Sequence, residues 1–300
     1  MLSQIVTSYG LYAMLSMLLA GSYSSSAQSF FEVEKRGQTS SDSMLNAALV
    51  KTGLFLISGG GGNSLLRLSG NGFILVDGKL PGNYDAILAL AKRLSYSEQP
   101  IRILVNTDHH ENHTAINGEF LRAGTFVLSQ ENVKTNLANI NSPLRNSALP
   151  NRTYDEELTI NLGGVQVQLL HFGNAHTNGD TVVYFPDLKV VAVGDLFSTV
   201  PDPDFSAGGS LVGWGPVLAG ILQLDFEVVV PGTGPMVTKS ELETFKKKID
   251  TLVSLASKLV KQGVPKDKLM DQIRSDDLGR RLSFSGPQLD SFYTELAKAK

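Results

Sequence analysis

A chain of 300 residues can bury a full hydrophobic core, as one large domain with an appendage or as two small ones. A net charge of -3 carries no basic excess, which argues against a nucleic-acid-binding domain. The chain has no cysteine, so disulfides, thiolate zinc sites and cysteine nucleophiles are excluded together.

Tyr9 to Gly21 is an apolar run too short to span a bilayer comfortably, and a serine-rich stretch follows it. Ser25, Ser26 and Ala27 offer the small residues of a signal-peptidase site. Residues 1–27 therefore read as a cleaved secretory signal, although no Lys or Arg precedes the apolar run; an uncleaved anchor or a buried helix is the alternative. The expected location is periplasmic or secreted, with no membrane attachment after cleavage. Residues 28–47 read as an extended lead-in.

Leu54–Ile57, Leu65–Leu68 and Phe73–Val76 have the composition of short strands, and Ser69-Gly70-Asn71-Gly72 predicts a hairpin between the last two. Gly59 to Gly62 lacks the Lys-Ser/Thr of a phosphate loop and reads as a flexible loop. Ile87, Leu88, Leu90, Ala91 and Leu94 have helical spacing, predicting a helix over Tyr84–Leu94. Ile101–Val105, Phe126–Leu128, Gln166–His171, Thr181–Phe185, Lys189–Val193 and Phe226–Val230 read as further strands. Pro201 to Gly215 reads as a Gly/Pro-rich loop, with Trp214 packed beneath it or facing a substrate alongside Phe197. Thr238 and Glu241 form a capping-box pattern before an apolar face of Leu242, Phe245, Ile249, Leu252 and Leu259. Two more helices are expected over Lys266–Ile273 and Pro287–Ala297.

All five histidines fall in two clusters at the ends of predicted strands: His109, His110 and His113, then His171 and His176. Asp108 and Glu111 lie in the first cluster; Asp180 and Asp195 follow the second. One histidine alone is more often a surface or core residue than a ligand. Several imidazoles and carboxylates converging at strand ends have the chemistry of a zinc or iron site.

The segment Asn106-Thr107-Asp108-His109-His110-Glu111-Asn112-His113 resembles the Thr-His-x-His-x-Asp-His signature of the metallo-β-lactamase superfamily. Four further segments resemble that family's motifs in its order: Asn63 with Asp77-Gly78, Ala175-His176-Thr177-Asn178-Gly179-Asp180, Gly194-Asp195, and Pro231-Gly232-Thr233-Gly234-Pro235. The resemblance implies an α/β fold, a four-layer αββα sandwich of two mixed sheets flanked by helices. It places the domain at residues 48–245, with a C-terminal helical extension over 246–300 packed on it.

The same resemblance implies a first metal held by Asp108, His110 and His176. It implies a second site at Asn112, His113, Asp195 and Thr233. Asp108 stands where the family has histidine, Asn112 where it has aspartate and Thr233 where it has histidine. The implied metal donors are thus Asp108, His110, His113, His176 and Asp195, with Asp108, Asn112 and Asp195 in the catalytic positions. A shifted set of His109, Glu111 and His113 is the alternative register. One zinc ion is expected, with a depleted second site and with iron or manganese as alternatives. The implied activity is metal-dependent hydrolysis of an unidentified small molecule; the alternative is a non-catalytic binding or scaffold protein. The sequence assigns neither substrate nor oligomeric state.

Overall fold

The computed structural model describes residues 45–140, 149–197, 202–273, 284 and 286–298. The expected signal segment and most of the lead-in lie outside them. The first sheet has seven strands in sequential order: β1 (Asn46–Lys51), β2 (Leu54–Ser58), β3 (Ser64–Ser69), β4 (Gly72–Val76), β5 (Ile101–Val105), β6 (Phe126–Gln130) and β7 (Arg152–Tyr154). The second has six: β8 (Glu157–Leu162), β9 (Val165–Leu170), β10 (Val182–Phe185), β11 (Val190–Gly194), β12 (Val228–Pro231) and β13 (Val237–Thr238), running from β13 at one edge to β8 at the other. Both are mixed: β4, β5, β6 and β7 run parallel, as do β11 and β12, while the remaining pairs are antiparallel.

Side-chain alternation along the buried strands builds the layers. On β4, Ile74 and Val76 enter the core between the sheets, whereas Phe73 and Leu75 face the opposite way. On β11, Val190 and Ala192 point inward and Val191 and Val193 outward. The outer face of the first sheet is covered by helix α1 (Tyr84–Ser95), through Ile87, Leu90 and Ala91. Short helices α2 (Glu111–Thr114) and α3 (Asn117–Arg122) follow β5, and α4 (Glu131–Asn139) follows β6. The outer face of the second sheet is covered by α5 (Leu211–Leu222), α6 (Lys239–Lys261), α7 (Lys266–Gln272) and α8 (Gly286–Lys298). The result is the expected αββα sandwich with additional C-terminal helices.

The Ser69–Gly72 turn joins β3 to β4 as an antiparallel hairpin. Thr238 and Glu241 cap α6 reciprocally, satisfying both backbone N–H groups, and all five expected apolar residues of that helix are buried. Helix α6 is continuous through residue 245, so the core domain and the C-terminal extension share one element.

The loop expected over Pro201–Gly215 needs correction. Its second half begins a twelve-residue helix, α5, that holds Trp214 and Pro216. The Ser210 hydroxyl accepts from Gly213 N at 2.8 Å and starts the helix. Its glycines answer crowding: a Cβ on Gly213 would strike Asn174 O, and one on Gly220 would meet the Phe172 ring at 2.6 Å. Packing has overridden the poor local propensity. No helix among the described residues is long and apolar enough to cross a membrane.

Lys79 departs from ordinary packing. Its side chain is fully buried, and its ammonium donates to Ile57 O at 2.8 Å and to Gly62 O, tying β2 to the glycine loop. Burial lowers its pKa from 10.5 to about 8, against the pull of Asp77. Between those values the unfolded chain binds more protons than the folded one, so stability from this group rises with pH. The burial cost, about 3 kcal/mol, is complete below pH 8 and gone above about pH 10.5. Urea unfolding of the parent and of Lys79→Met should therefore show stabilities that differ in slope across pH 8 to 10.5, the parent rising relative to the variant. Parallel profiles would contradict this.

Candidate metal centre

The centre forms where strands of both sheets end. β4 runs into Asp77, β5 into Asn106–His113, β11 into Asp195 and β12 into Gly232. Backbone bonds join these ends: Asp77 N to Val105 O, Thr181 N to Thr107 O, Gly232 N to Gly194 O and Asn63 N to Gly232 O, each at 2.7 Å. Two glycines allow the approach. Gly194 has φ 52, and a Cβ there would lie 2.6 Å from the Thr107 hydroxyl; one on Gly232 would collide with the Asp195 carboxylate.

Each ring has a fixed orientation. His113 places Nδ1 at 2.9 Å from Asp77 Oδ2, and Asp77 is itself held by the Thr107 N–H and hydroxyl at 2.7 Å each. His113 Nε2 then faces Asp195 Oδ2 at 3.3 Å and Asp108 Oδ2 at 3.6 Å. His176 has Nδ1 at 2.9 Å from Asp202 O, which turns Nε2 toward Asp108 Oδ2 and Asp195 Oδ2, both at 3.8 Å. His110 has Nδ1 at 3.0 Å from Asp108 Oδ1 and 3.3 Å from His176 Nε2. This carboxylate or carbonyl behind each imidazole is the usual way a metal-binding histidine is oriented.

Ligand atoms of Asp108, His110, His176 and Asp195 lie within 4.8 Å of one another. Asp108 Oδ2 is buried with no hydrogen-bond partner, the most expensive unsatisfied polar atom in the centre. Donors about 2.0–2.2 Å from a tetrahedral zinc ion stand about 3.3–3.6 Å apart. The imidazole–carboxylate spacings of 3.3–3.8 Å are close to that edge length, so the residues fit a metal ion.

The charges are strongly coupled. Burial would raise the Asp108 carboxyl, but His113, His110 and His176 outweigh it and hold it well below the usual carboxylate range. Burial likewise opposes protonation of His113 and His110. Asp108, Asp77 and Asp195 nonetheless raise His113 well above its ordinary value, and Asp108 and Asp204 raise His110 to about 9. His109 goes the other way: burial and the neighbouring His110 lower it to about 4. Protons on His110 and His113 thus compete with a metal for the same nitrogens.

The five residues that the resemblance makes donors meet here. Asn112 is also present, its amide nitrogen 2.8 Å from His113 Nε2. Thr233 and Glu111 are exposed. The shifted register is not assembled, because His109 faces Asp204 while His113 faces Asp77 and Asp195. His171 contacts Asp180 O at 2.8 Å and belongs to no cluster; Asp180 accepts three hydrogen bonds from Thr177 and braces the loop after His176. Trp214 is fully buried, with Nε1 donating to Leu196 O at 2.9 Å, and its ring lies 6.1 Å from that of His176. Phe197 packs on Phe245 at 5.0 Å.

Sequence reasoning missed Asp204. It sits between the prolines and glycines of the 202–209 loop, with no local pattern marking it as a partner of residues about a hundred positions earlier. Its Oδ1 accepts from Ser206 N, Ser206 Oγ and Ala207 N, and its backbone N–H bonds His176 O at 2.7 Å. The role of Asp77 behind His113 also leaves no mark in the sequence beyond its place at the end of the first hairpin.

Comparison with known proteins agrees with this architecture. A metallo-β-lactamase from Pontibacter korlensis superposes with a TM-score of 0.60 at 21% identity, covering 69% of this chain and 99% of that one. The FIM-1 metallo-β-lactamase from Pseudomonas aeruginosa, solved in a mono-zinc form, gives 0.59 at 16% identity, covering 70% and 97%. A curated relative, the 2,4-dinitroanisole O-demethylase subunit alpha of a Nocardioides strain, is 25% identical over 178 residues, 59% of this chain. The match covers 53% of that relative, so the chain spans about half its length. The model of the metallo-beta-lactamase superfamily matches residues 57–233, from β2 to just beyond β12, and the chain belongs to that superfamily.

Proposed function

We propose that this protein is an exported metal-dependent hydrolase, holding one divalent ion, zinc first, in the cluster centred on Asp108. The observation that carries the proposal is the buried, partnerless Asp108 Oδ2 facing imidazole nitrogens at near-tetrahedral spacing. Asp108, His176 and Asp195 are the core donors. His113 stands beside both carboxylates, and His110 braces Asp108. Three protein donors with an open position is the pattern of catalytic rather than structural zinc sites. Such an ion supplies Lewis acidity toward a carbonyl or phosphoryl oxygen and makes water nucleophilic near neutral pH.

The chain's own groups then divide the work. Asp195 is the more exposed of the two carboxylates, its side chain 24% accessible against 1% for Asp108, and it is the one that water reaches. Asn112 has an amide where the family carries a carboxylate, so it orients but accepts no proton at neutral pH. The substrate is a small molecule with a hydrolysable ester, thioester, lactam, phosphodiester or sulfate ester. The name of the Nocardioides relative adds an aryl methyl ether to that panel.

The test is metal content by elemental mass spectrometry on the mature chain, re-equilibrated with zinc, iron or manganese, followed by a turnover screen on that panel. One tight ion and chelator-sensitive turnover are expected. No specific ion under any condition would instead support a non-catalytic binding protein, the reading that Asn112 and exposed Thr233 favour.

A further inference from the structure

A second group of donors lies beside the first. His109 Nε2 is 3.6 Å from Asp204 Oδ2, and His110 Nε2 is 3.4 Å from the same oxygen. Ligand atoms of the three residues lie within 4.8 Å of one another. The His109 and His110 rings are tilted by 36° with centroids 4.3 Å apart, and the Nε2 atoms of both face the same Asp204 oxygen.

Three features point to a cation. First, both spacings are long for N–H···O hydrogen bonds but match the about 3.3–3.6 Å between donors around a tetrahedral zinc ion. Second, the Asp204 carboxylate is preset. Three hydrogen bonds from Ser206 and Ala207 fix Oδ1 and aim Oδ2 at the two imidazoles. Third, the His110 tautomer is decided by Asp108. Asp108 Oδ1 also accepts from His110 N at 2.7 Å, so at 3.0 Å from the same oxygen His110 Nδ1 is the donor. Nε2 is then the nitrogen that faces Asp204, and a cation would bind it by displacing its proton. Asp108–His110–ion is a carboxylate–histidine–metal arrangement.

We propose that His109 Nε2, His110 Nε2 and Asp204 Oδ2 form an outer site for a second divalent transition-metal ion, zinc or cobalt by donor type. It differs from the second site implied by the resemblance, at Asn112, His113, Asp195 and Thr233, and uses none of those residues; His110 is the residue it shares with the inner group. It is the weaker of the two sites. Binding through His109 Nε2 leaves the proton on Nδ1, and that atom is buried without a hydrogen-bond partner. Asp108 couples the sites, because one oxygen orients His110 while the other faces the inner donors.

The proposal builds on the inner-site reading, and its test separates the two. The mature chain, stripped with chelator, is titrated with zinc and with cobalt, followed by calorimetry and by the visible spectrum of bound cobalt. The parent should take up two ions per chain in a tight and a weaker step. Asp204→Asn keeps an acceptor at Oδ1, and His109→Phe keeps the ring volume; each should remove only the weaker step, leaving the tight affinity within about threefold. Far-UV circular dichroism establishes that both variants fold, and His109→Gln serves if the phenylalanine variant does not. A parent that saturates at one ion overturns the outer site and leaves the inner one standing. So does a second ion lost on His113→Ala but kept in Asp204→Asn. Simultaneous loss of both ions in Asp204→Asn would make Asp204 a positioning residue of the inner cluster, and would also overturn the proposal. Absence of any ion in the parent rejects the inner reading as well.

Discussion

Replacing His176 with alanine is expected to lower the affinity of the inner cluster for zinc by more than about 100-fold, since loss of an outer-shell partner alone typically costs about 10–100-fold. His176 is the one imidazole whose Nε2 faces both core carboxylates while its Nδ1 is anchored on a backbone carbonyl. Truncating it leaves Asp108 and Asp195 with one fewer imidazole facing both of them, His113 alone keeping its Nε2 against the pair among the described residues. The backbone of residue 176 still accepts from Asp204 N, so the loop keeps its main anchor and the variant should fold. Competition against a chromophoric chelator measures the change. His171→Gln is the control: that histidine lies outside both clusters, and its variant should bind within a few fold of the parent. Equal losses in both variants would mean that the effect is general destabilisation, and an unchanged His176→Ala would remove His176 from the site.

The second large effect is on stability. Trp214→Ala should cost about 3–5 kcal/mol, the range for emptying a large aromatic site in a close-packed core. Trp214 is fully buried and belongs to the apolar cluster that residues of the second sheet and of helices α5 to α8 build together. Its indole N–H is the partner of Leu196 O, so truncation also strands a carbonyl one residue beyond Asp195. The melting temperature should fall on the order of 10 °C. Circular dichroism must be the readout, because Trp214 is the only tryptophan and the variant loses its intrinsic signal. A loss below about 1 kcal/mol would mean that neighbouring side chains collapse into the space and that Trp214 is not a keystone of this layer.

Much of this fold was legible because several of its central strands, such as β4, β10 and β11, are buried on both faces. Ile101–Val105 is bounded correctly, and Phe73–Val76 within a residue, since short runs that are apolar but for Arg102 and flanked by polar turns admit few other arrangements. Helix α6 was legible through its cap and its single apolar face. Helix α5 was not: Gly213, Gly215, Pro216 and Gly220 all argue locally against a helix, and the glycines answer to contacts with distant residues, Asn174, Asp250 and Phe172. Strands β1, β7, β8 and β13 and the short helices α2, α3 and α4 were missed as well, being short or half-exposed. In the site, the histidines and the acidic residues at strand ends were readable from order and spacing. Asp77, Asp202 and Asp204 were not recognised as the groups that orient them, because orientation is set by backbone paths meeting across the two sheets.

The centre lies on the seam between those sheets. Asp108, His110 and His113 follow a strand of the first sheet, while His176 and Asp195 belong to the second, and the facing side chains are 66 to 82 residues apart along the chain. An ion held there ties two distant stretches of backbone as a covalent staple would. Closing a loop of that size restricts the unfolded chain by an entropy equivalent to about 4 kcal/mol in the simple chain model. A chain with no cysteine has no disulfide to do this. An ion bound at this cluster would therefore give the chain a removable cross-link between its two halves, one that a chelator would open and free metal restore.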